Sequence, residues 1–445
     1  MRLEDNPALS AATRESEVVI PVFVFDSELE MPSSKLRSNF LNGALNDLDA
    51  RLREIRSKLL IKQGDSAREL AKIIGSQNAM PVFTNAGYSE RSKKSESQVG
   101  KLTQLWLFTG QISIDPSEIS NKNGDPFKVY SAFKRKWEQV DTQKIFKTDY
   151  RRLGFKAGIE SSYDLHADRN SLPRCSTRAH AVRILGAFTE RNGGINRYSD
   201  LRDRVDQHTT SGMSETISLG LIGPNELFEV ANSLRHSSAE NRNLGSVNSW
   251  RNQLIWREFF KHSLNHFPES ANQSLNPNLT HIEWINHKED IEAWYEGETG
   301  YPIVDAAMRQ LSEDGWIHNR LRMIVASFLV KDLLVDWRIG ANWFHNKLID
   351  YDSALNSGNW QWVAGTGFDA SPFFRVFNPV LQGRKFDPEG TYVRRWIPEI
   401  KKLPSRVIHS PWELSRPPKN YPSPIIDHAW ARKRVLSVYA DAKSS

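Results

Sequence analysis

A change of hydrophobic period near residue 177 constrains this 445-residue chain more than any other feature. Ahead of it, short apolar runs alternate with helical patterns. Val18-Val19-Ile20-Pro21-Val22-Phe23-Val24-Phe25 reads as a buried strand, and Ser38 to Leu59 as a helix with Phe40, Leu41, Ala44, Leu45 and Leu48 on one face. Leu59-Leu60-Ile61 is a second strand, Asp65 to Ile74 a second helix and Pro81-Val82-Phe83 a third strand. Strand and helix in alternation predict an α/β domain over residues 1–110 built on a parallel, doubly wound sheet. From Thr177 on, the spacing is helical almost throughout. Ala181 to Arg191 ends at Gly193-Gly194, Pro302 to Leu311 leads to Gly315, and His318 to Leu334 buries Leu321, Ile324, Val325, Phe328 and Leu329. Residues 179–445 are therefore expected to form a large all-α domain. The weakly patterned, polar stretch 111–178 reads as an interdomain linker wrapped over the surface.

The α/β part opens on Met1-Arg2-Leu3-Glu4-Asp5-Asn6-Pro7, a strand-to-helix junction with no strand ahead of it. The first strand of such sheets is usually central, so the domain is expected to lack a strand and to carry unpaired backbone edges. The expectation is that translation starts upstream, or that the chain is an N-terminally truncated form.

Composition narrows the function classes. A formal net charge of +6 suits a polyanionic partner and an ordinary basic protein equally. The single cysteine, Cys175, excludes an internal disulfide and leaves no metal-ligand cluster, so no metal is expected. The longest candidate for a membrane span, Met323 to Val330, is far too short to cross a bilayer, and the N-terminus has no signal-peptide core. A cytoplasmic protein without membrane contact is expected.

One run carries chemistry. Asp350-Tyr351-Asp352-Ser353-Ala354-Leu355-Asn356-Ser357-Gly358-Asn359-Trp360-Gln361-Trp362 sets two carboxylates two residues apart, then an amide, then two indoles. Singly, these residues read as a helix N-cap followed by core tryptophans. Together they suit a large, planar, polar aromatic cofactor. Carboxylates accept from hydroxyls and ring N–H groups, amides donate and accept, and indoles stack on bases or pass single electrons. Thr210-Ser211-Gly212-Met213-Ser214, at a helix start, is either a phosphate cradle or an ordinary cap. Trp250, Gln253 and Arg257 share a helix face that is costly to bury dry, with Trp256 and Phe260 on an adjoining face. Asn319 and Met323 are spaced i, i+4 beside Arg322, which could also be a buried partner for one of the two aspartates. Trp284, Trp337 and Trp360, three of 14 tryptophans, lie on separate helical segments and singly read as core.

With these residues in view, the sequence closely resembles the photolyase/cryptochrome family, and within it the bacterial-type (class I) cyclobutane pyrimidine dimer photolyases. The resemblance runs from Arg2-Leu3-Glu4-Asp5-Asn6-Pro7-Ala8-Leu9 to the C-terminus. It is densest in Trp256-Arg257-Glu258-Phe259-Phe260, Gly297 to Asp305, Trp316-Ile317-His318-Asn319-Arg320-Leu321-Arg322-Met323 and onward to Leu334, and Asp350 to Gly390. It implies a noncovalent FAD in the helical domain. Tyr198 and the loop Thr210, Ser211, Gly212, Met213 and Ser214 would hold its phosphates. Trp250, Arg257, Tyr351, Asp350 and Asp352 would line it, with Arg322 paired to Asp350. Asn356 would face flavin N5, where plant cryptochromes carry an aspartate. Trp360, Trp337 and Trp284 match the family's electron-transfer chain of indoles, in that order from flavin to surface. Gln253, Trp256, Asn319, Met323 and Trp362 would line the lesion pocket, and Arg202, Arg320, Arg375 and Gln382 would touch DNA.

The resemblance implies light-driven repair of cyclobutane pyrimidine dimers in UV-damaged DNA by a monomeric deoxyribodipyrimidine photo-lyase. Three departures qualify it. Gln253 stands where dimer photolyases carry glutamate. That glutamine is also found in (6-4) photolyases, but their paired histidine is absent here, where His318 is followed by Asn319. The region Asn85 to Ser92 lacks the acidic residues a folate antenna would use, so a second chromophore, of folate or deazaflavin type, stays open. The third departure is the missing first strand. The rival readings are a cryptochrome-type blue-light photoreceptor without repair activity, and a photolyase of altered lesion preference such as (6-4) photoproducts. The absence of a long polar tail after Tyr439 speaks against the photoreceptor.

Overall fold

The computed structural model describes residues 1–26, 34–75, 80–142, 144–155, 160–163, 175–236, 243–372 and 374–444. Packing divides them into two compact units, Met1–Asn196 with Ser211–Pro268, and Arg197–Thr210 with Glu269–Ser445.

In the first unit, α1 (Pro7–Glu15) starts where the Asn6 side chain accepts the Leu9 N–H, with Pro7 as the first helical residue. Then follow β1 (Val22–Phe25), α2 (Lys35–Glu54), β2 (Leu60–Gln63), α3 (Ser66–Ile74), β3 (Val82–Asn85), α4 (Glu90–Gly100) and β4 (Leu105–Phe108). The three strands expected from sequence are present, each displaced by one to four residues at an end. The pair α4–β4 was not foreseen. The reason is that α4 buries only Val99 and so shows no apolar stripe. β1 pairs in parallel with β2, and β3 in parallel with β4. Among the described residues these are two separate two-stranded sheets, so the alternation and parallel sense hold while the sheet is divided.

The stretch read as a surface linker contains α5 (Tyr130–Trp137), and α5 is part of the core. Phe133 and Trp137, one turn apart, are buried, and the Trp137 ring lies 4.6 Å from Phe228. Lys134, Arg135 and Lys136 stand between those two aromatics and hide the pattern. The unit continues with α6 (Arg178–Thr189); a short α7 (Tyr198–Leu201) belongs to the other unit. α8 (Ser214–Ser218), α9 (Pro224–His236) and α10 (Leu244–His266) complete it.

The second unit is helical: α11 (Lys288–Glu296), α12 (Pro302–Asp314), α13 (Asn319–Ser327), α14 (Trp337–Lys347), α15 (Ser353–Ala364), α16 (Pro379–Phe386), α17 (Thr391–Trp396) and α18 (His428–Ser444). α12 has Pro302 at its first position and ends at Gly315, whose φ of 65° is the left-handed cap a glycine adopts without penalty. His318 to Leu334 is not one α-helix. α13 gives way to a π-helical turn, Phe328–Asp332, and Leu334 takes a φ of 56°.

That turn carries Lys331 and Asp332 fully inside. Asp332 is paired with His428, and the Lys331 ammonium lies 4.7 Å from the centre of the Tyr439 ring. Burial lowers the Lys331 ammonium to about 7. The unfolded chain, titrating near 10.4, therefore holds the extra proton across the interval between, and stability rises with pH from 7 to 10. Lys331→Met is expected to flatten that rise and to stabilise the protein at pH 7 by about 1–4 kcal/mol. Urea melts at pH 7 and 9.5 measure both effects, and equal pH dependence in the two proteins would contradict them. Among the described residues no helix is long and apolar enough to cross a membrane.

Candidate cofactor and nucleic-acid site

The run from Asp350 to Trp362 is the loop into α15 and the helix itself. Asp352 is the N-cap, its Oδ1 accepting the N–H groups of Ala354 and Leu355 at 3.0 and 3.3 Å. Asp350 does different work. Its side chain is 2% exposed and its Oδ2 accepts from Arg322 at 2.8 Å, while Arg322 Nε donates to the Ile317 carbonyl at 2.9 Å. The ion pair thus ties the start of α13 to the start of α15. Asp350 Oδ1 is buried with no hydrogen-bond partner. A buried carboxylate oxygen left open calls for an N–H or O–H donor, which a flavin ring edge or its ribityl hydroxyls supply, so these residues fit FAD. Tyr351 packs edge-on against His345, with ring centres 4.4 Å apart. One turn into α15, Asn356 donates its side-chain N–H to the Ala341 carbonyl of α14 at 3.0 Å, which sets the orientation of the amide.

The three indoles read as a chain all belong to the second unit. Trp360 is 2% exposed and Trp337 1% exposed, while Trp284 is partly buried with its ring centre 6.3 Å from Tyr439. Trp360 lies so close to α14 that a Cβ on Gly340 would sit 2.2 Å from its Cη2. Its ring neighbours include Phe344 at 5.0 Å and Trp294 at 6.3 Å. Sequence reasoning missed both Trp294 and Gly340. A glycine inside the helical run Trp337–Lys347 was the available signal for a close approach.

In the first unit, α10 carries Trp250, Gln253, Trp256 and Arg257. Trp250 is buried against Phe188, with ring centres 5.4 Å apart, and Arg257 donates to the Gln111 carbonyl at 2.6 Å. Gln253 and Trp256 are half-buried. Trp256 stacks on Tyr130 of α5 with ring centres 3.6 Å apart and an 8° interplanar angle, while the Tyr130 hydroxyl donates to the Asn252 carbonyl at 3.1 Å. Tyr130 fixes the Trp256 ring from behind, and nothing in its own polar surroundings announced it.

The loop Thr210–Ser214 has Thr210 in one unit and Ser211, Gly212, Met213 and Ser214 in the other. Gly212 has a φ of 62° and open space around its Cα, Met213 is buried, and Ser214 begins the five-residue α8. Tyr198, in the second unit, is 8% exposed, and burial pushes its phenol up to about 12.

Of the residues expected to touch DNA, Arg375 is exposed, and Gln382, Met323 and Trp362 are half-buried. Asn319, exposed at the start of α13, points its amide at the Met323 sulfur 3.9 Å away. The Arg202 guanidinium lies 5.9 Å from the Tyr198 ring centre and 3.9 Å from Asp203. Arg320 is held more firmly. It pairs with Asp203 at 2.8 Å and sits 4.6 Å over the Phe386 ring, so a phosphate would have to compete with a carboxylate for it.

Comparison with known proteins identifies the family. Residues 250–441 match the model of the FAD-binding domain of DNA photolyase, and residues 1–149 match that of DNA photolyase. A deoxyribodipyrimidine photo-lyase of Agrobacterium fabrum is 36% identical, with 100% of this chain and 97% of that one covered. A class III photolyase from Agrobacterium tumefaciens superposes with a TM-score of 0.90 at 35% identity, covering 100% of this chain and 96% of that one. An archaeal photolyase from Sulfolobus tokodaii, solved with two FAD molecules, gives 0.83 at 28% identity and covers 99% and 97% of the two chains.

Proposed function

The chain belongs to the photolyase/cryptochrome family, and on that footing we propose that it is a deoxyribodipyrimidine photo-lyase that splits cyclobutane pyrimidine dimers in UV-damaged DNA under light. The observation that carries this reading is Asp350, buried, paired to Arg322, and with one oxygen awaiting a donor. FAD, when bound and reduced, would supply light-driven one-electron chemistry with no net change in its redox state. The chain's own residues hold, orient and exclude water. Asp350, Asp352 and Tyr351 would hold the ring edge and ribityl chain, and Tyr198, in the same unit, would hold the phosphates. Asn356, its amide oriented by the Ala341 carbonyl, would face the flavin. Trp360, Trp337 and Trp284 form the route by which light restores the reduced cofactor.

Photolyases as a class act on bases taken out of the duplex stack, and a dimer is already poorly stacked, which lowers the cost of extrusion. Trp256, backed by Tyr130, offers the extruded pair a rigid aromatic wall. Gln253, on the same helix, is the further lesion contact proposed for the first unit, Trp362, Asn319 and Met323 are those proposed for the second, and Arg202, Arg375 and Gln382 hold the backbone without reading sequence. Retention of these lesion-pocket residues favours repair over pure photoreception. The likeness to the Sulfolobus photolyase, solved with two FAD molecules, supports a second, light-harvesting chromophore as part of the same proposal.

The test is direct. Reduced protein illuminated with an oligonucleotide carrying a thymine dimer should restore thymines, and a (6-4) oligonucleotide should be left unchanged. Dark binding without repair would refute the reading. Gln253 sets a second expectation, because a neutral amide cannot supply the charge or the protonated donor of a glutamate. Gln253→Glu should raise the dimer-repair yield per absorbed photon by about two- to tenfold, on the order of one charge-assisted hydrogen bond. Equal yields would show that position 253 does not limit turnover.

A further inference from the structure

In the second unit Asn286 and Leu334 both take left-handed backbone, with φ of 52° and 56°. Asparagine visits that conformation more readily than most residues, whereas leucine enters it only at a cost. Strain of this kind persists where the surrounding contacts over-determine it, and it gathers at the working parts of a protein. The contacts here run between the two positions. The Ile285 N–H donates to the Leu334 carbonyl at 2.9 Å, and the Asp336 N–H donates to the Asn286 side-chain oxygen at 2.8 Å. Two bonds thus join residues 285–286 to residues 334–336.

An indole stands at each end of this pair of bonds. Trp284 directly precedes Ile285, and Trp337 directly follows Asp336. Asp336 also caps α14, its Oδ1 accepting the Arg338 N–H at 2.9 Å, so the Asn286 bond reaches the helix whose first residue is Trp337. Trp337 is buried, and its place is set by the helix. Trp284 is only partly buried, in a loop whose neighbours Glu283, Ile285, Asn286 and His287 are exposed. Such a loop opens easily unless something ties it down. Leu334, fully inside, belongs to the apolar cluster against which Trp284 packs, together with Tyr439. Its side chain therefore backs the indole while its carbonyl holds the next peptide. Electron transfer between rings falls steeply with separation, so a loose Trp284 would be a poor partner for a fixed Trp337.

We propose that Asn286 and Leu334 are positioning residues for the outermost electron hop: their two hydrogen bonds clamp the Trp284 loop to the start of α14 and fix the spacing of Trp284 and Trp337. The inference rests on the reading of Trp360, Trp337 and Trp284 as the route of light-driven reduction. In this hop one electron leaves Trp284 and refills oxidised Trp337. An external thiol then returns one electron to Trp284 and releases its proton to solvent.

Two variants of the full, FAD-loaded chain test the clamp. Asn286→Gly keeps the left-handed backbone and loses the acceptor, while Asn286→Asp keeps an acceptor in the same place. Amide hydrogen exchange at Ile285 and Asp336 should quicken by about tenfold or more in Asn286→Gly and stay slow in Asn286→Asp. Light-driven flavin reduction with a thiol donor should slow by about three- to tenfold in the glycine variant and recover in the aspartate variant, with Tm and flavin content near parental in both. Pulsed EPR of the illuminated protein supplies the distance from the flavin to the radical indole. It should be single and sharp in the parent, broadened in Asn286→Gly and shorter in Trp284→Phe. A parental radical that stops at Trp337 would overturn the reading of the indole route, and the clamp with it. A parental radical on Trp284, with equal rate and equal distance in Asn286→Gly, would overturn the clamp alone. Equal losses in the glycine and aspartate variants would overturn it as well, because the acceptor would not be what matters.

Discussion

Arg322→Leu is expected to yield a protein that folds less stably and carries at least about tenfold less flavin, because it leaves the Asp350 carboxylate buried and alone. The Asp350 side chain is 2% exposed, its Oδ2 depends on Arg322 at 2.8 Å, and its Oδ1 has no protein partner to fall back on. Removing one member of such a pair costs about 3–5 kcal/mol, most of it the desolvation of the survivor. The Arg322 Nε bond to the Ile317 carbonyl is lost as well, loosening the start of α13 against the loop into α15. The double variant Arg322→Leu with Asp350→Asn separates stability from binding. With the carboxylate gone, Tm should return most of the way, while flavin absorbance per protein should stay low because the donor-seeking oxygen has been replaced. Full flavin content in the single variant would show that the ion pair is structural only.

The second large effect lies at Gly340. Alanine is ordinarily worth about 1 kcal/mol over glycine inside a helix. Here its Cβ would meet Trp360 Cη2 at 2.2 Å and Leu329 Cδ2 at 2.6 Å, distances that no packed methyl tolerates. Trp360 and Leu329 are both buried, so the clash is relieved only by moving α14 away from α15 or by turning the indole. Overpacking of this kind costs about 1–3 kcal/mol and more where neither neighbour can yield. Gly340→Ala should lower Tm despite its better propensity. It should also slow light-driven flavin reduction by at least about tenfold, since hopping between rings depends on the position of Trp360. Trp360→Phe is the control, removing the donor without adding volume. Reduction lost in the phenylalanine variant and retained in the alanine variant would mean that the indole keeps its place, with the strain absorbed elsewhere.

Much of the candidate site was legible because its signals are local. Asp352 capping α15, Pro302 opening α12 and Gly315 closing it each depend on backbone groups within a few positions, so residue type and spacing suffice. The partnership of Arg322 with one of two nearby aspartates was visible as an alternative, and the resemblance chose Asp350. Other features were not legible. Tyr130 sits in a stretch whose basic residues mask the buried pair Phe133 and Trp137, and its stack on Trp256 joins α5 to a helix more than a hundred residues later. Arg320 was expected at DNA, and nothing near it in sequence pointed to Asp203 as its partner.

Period, capping and turn chemistry act over one or two turns of chain, and so the linear order of residues already dictated an α/β beginning, a helical remainder and the cluster of Asp350, Asp352, Asn356 and Trp360 along one loop and helix. Which distant surfaces meet was decided only on folding. The closeness of Gly340 to Trp360, the burial of Lys331 in a π turn, and the division of the strands into two sheets arise from how helices cross and strands pair. No short-range pattern encodes those contacts, because the partners are brought together by the burial of area contributed by the whole chain.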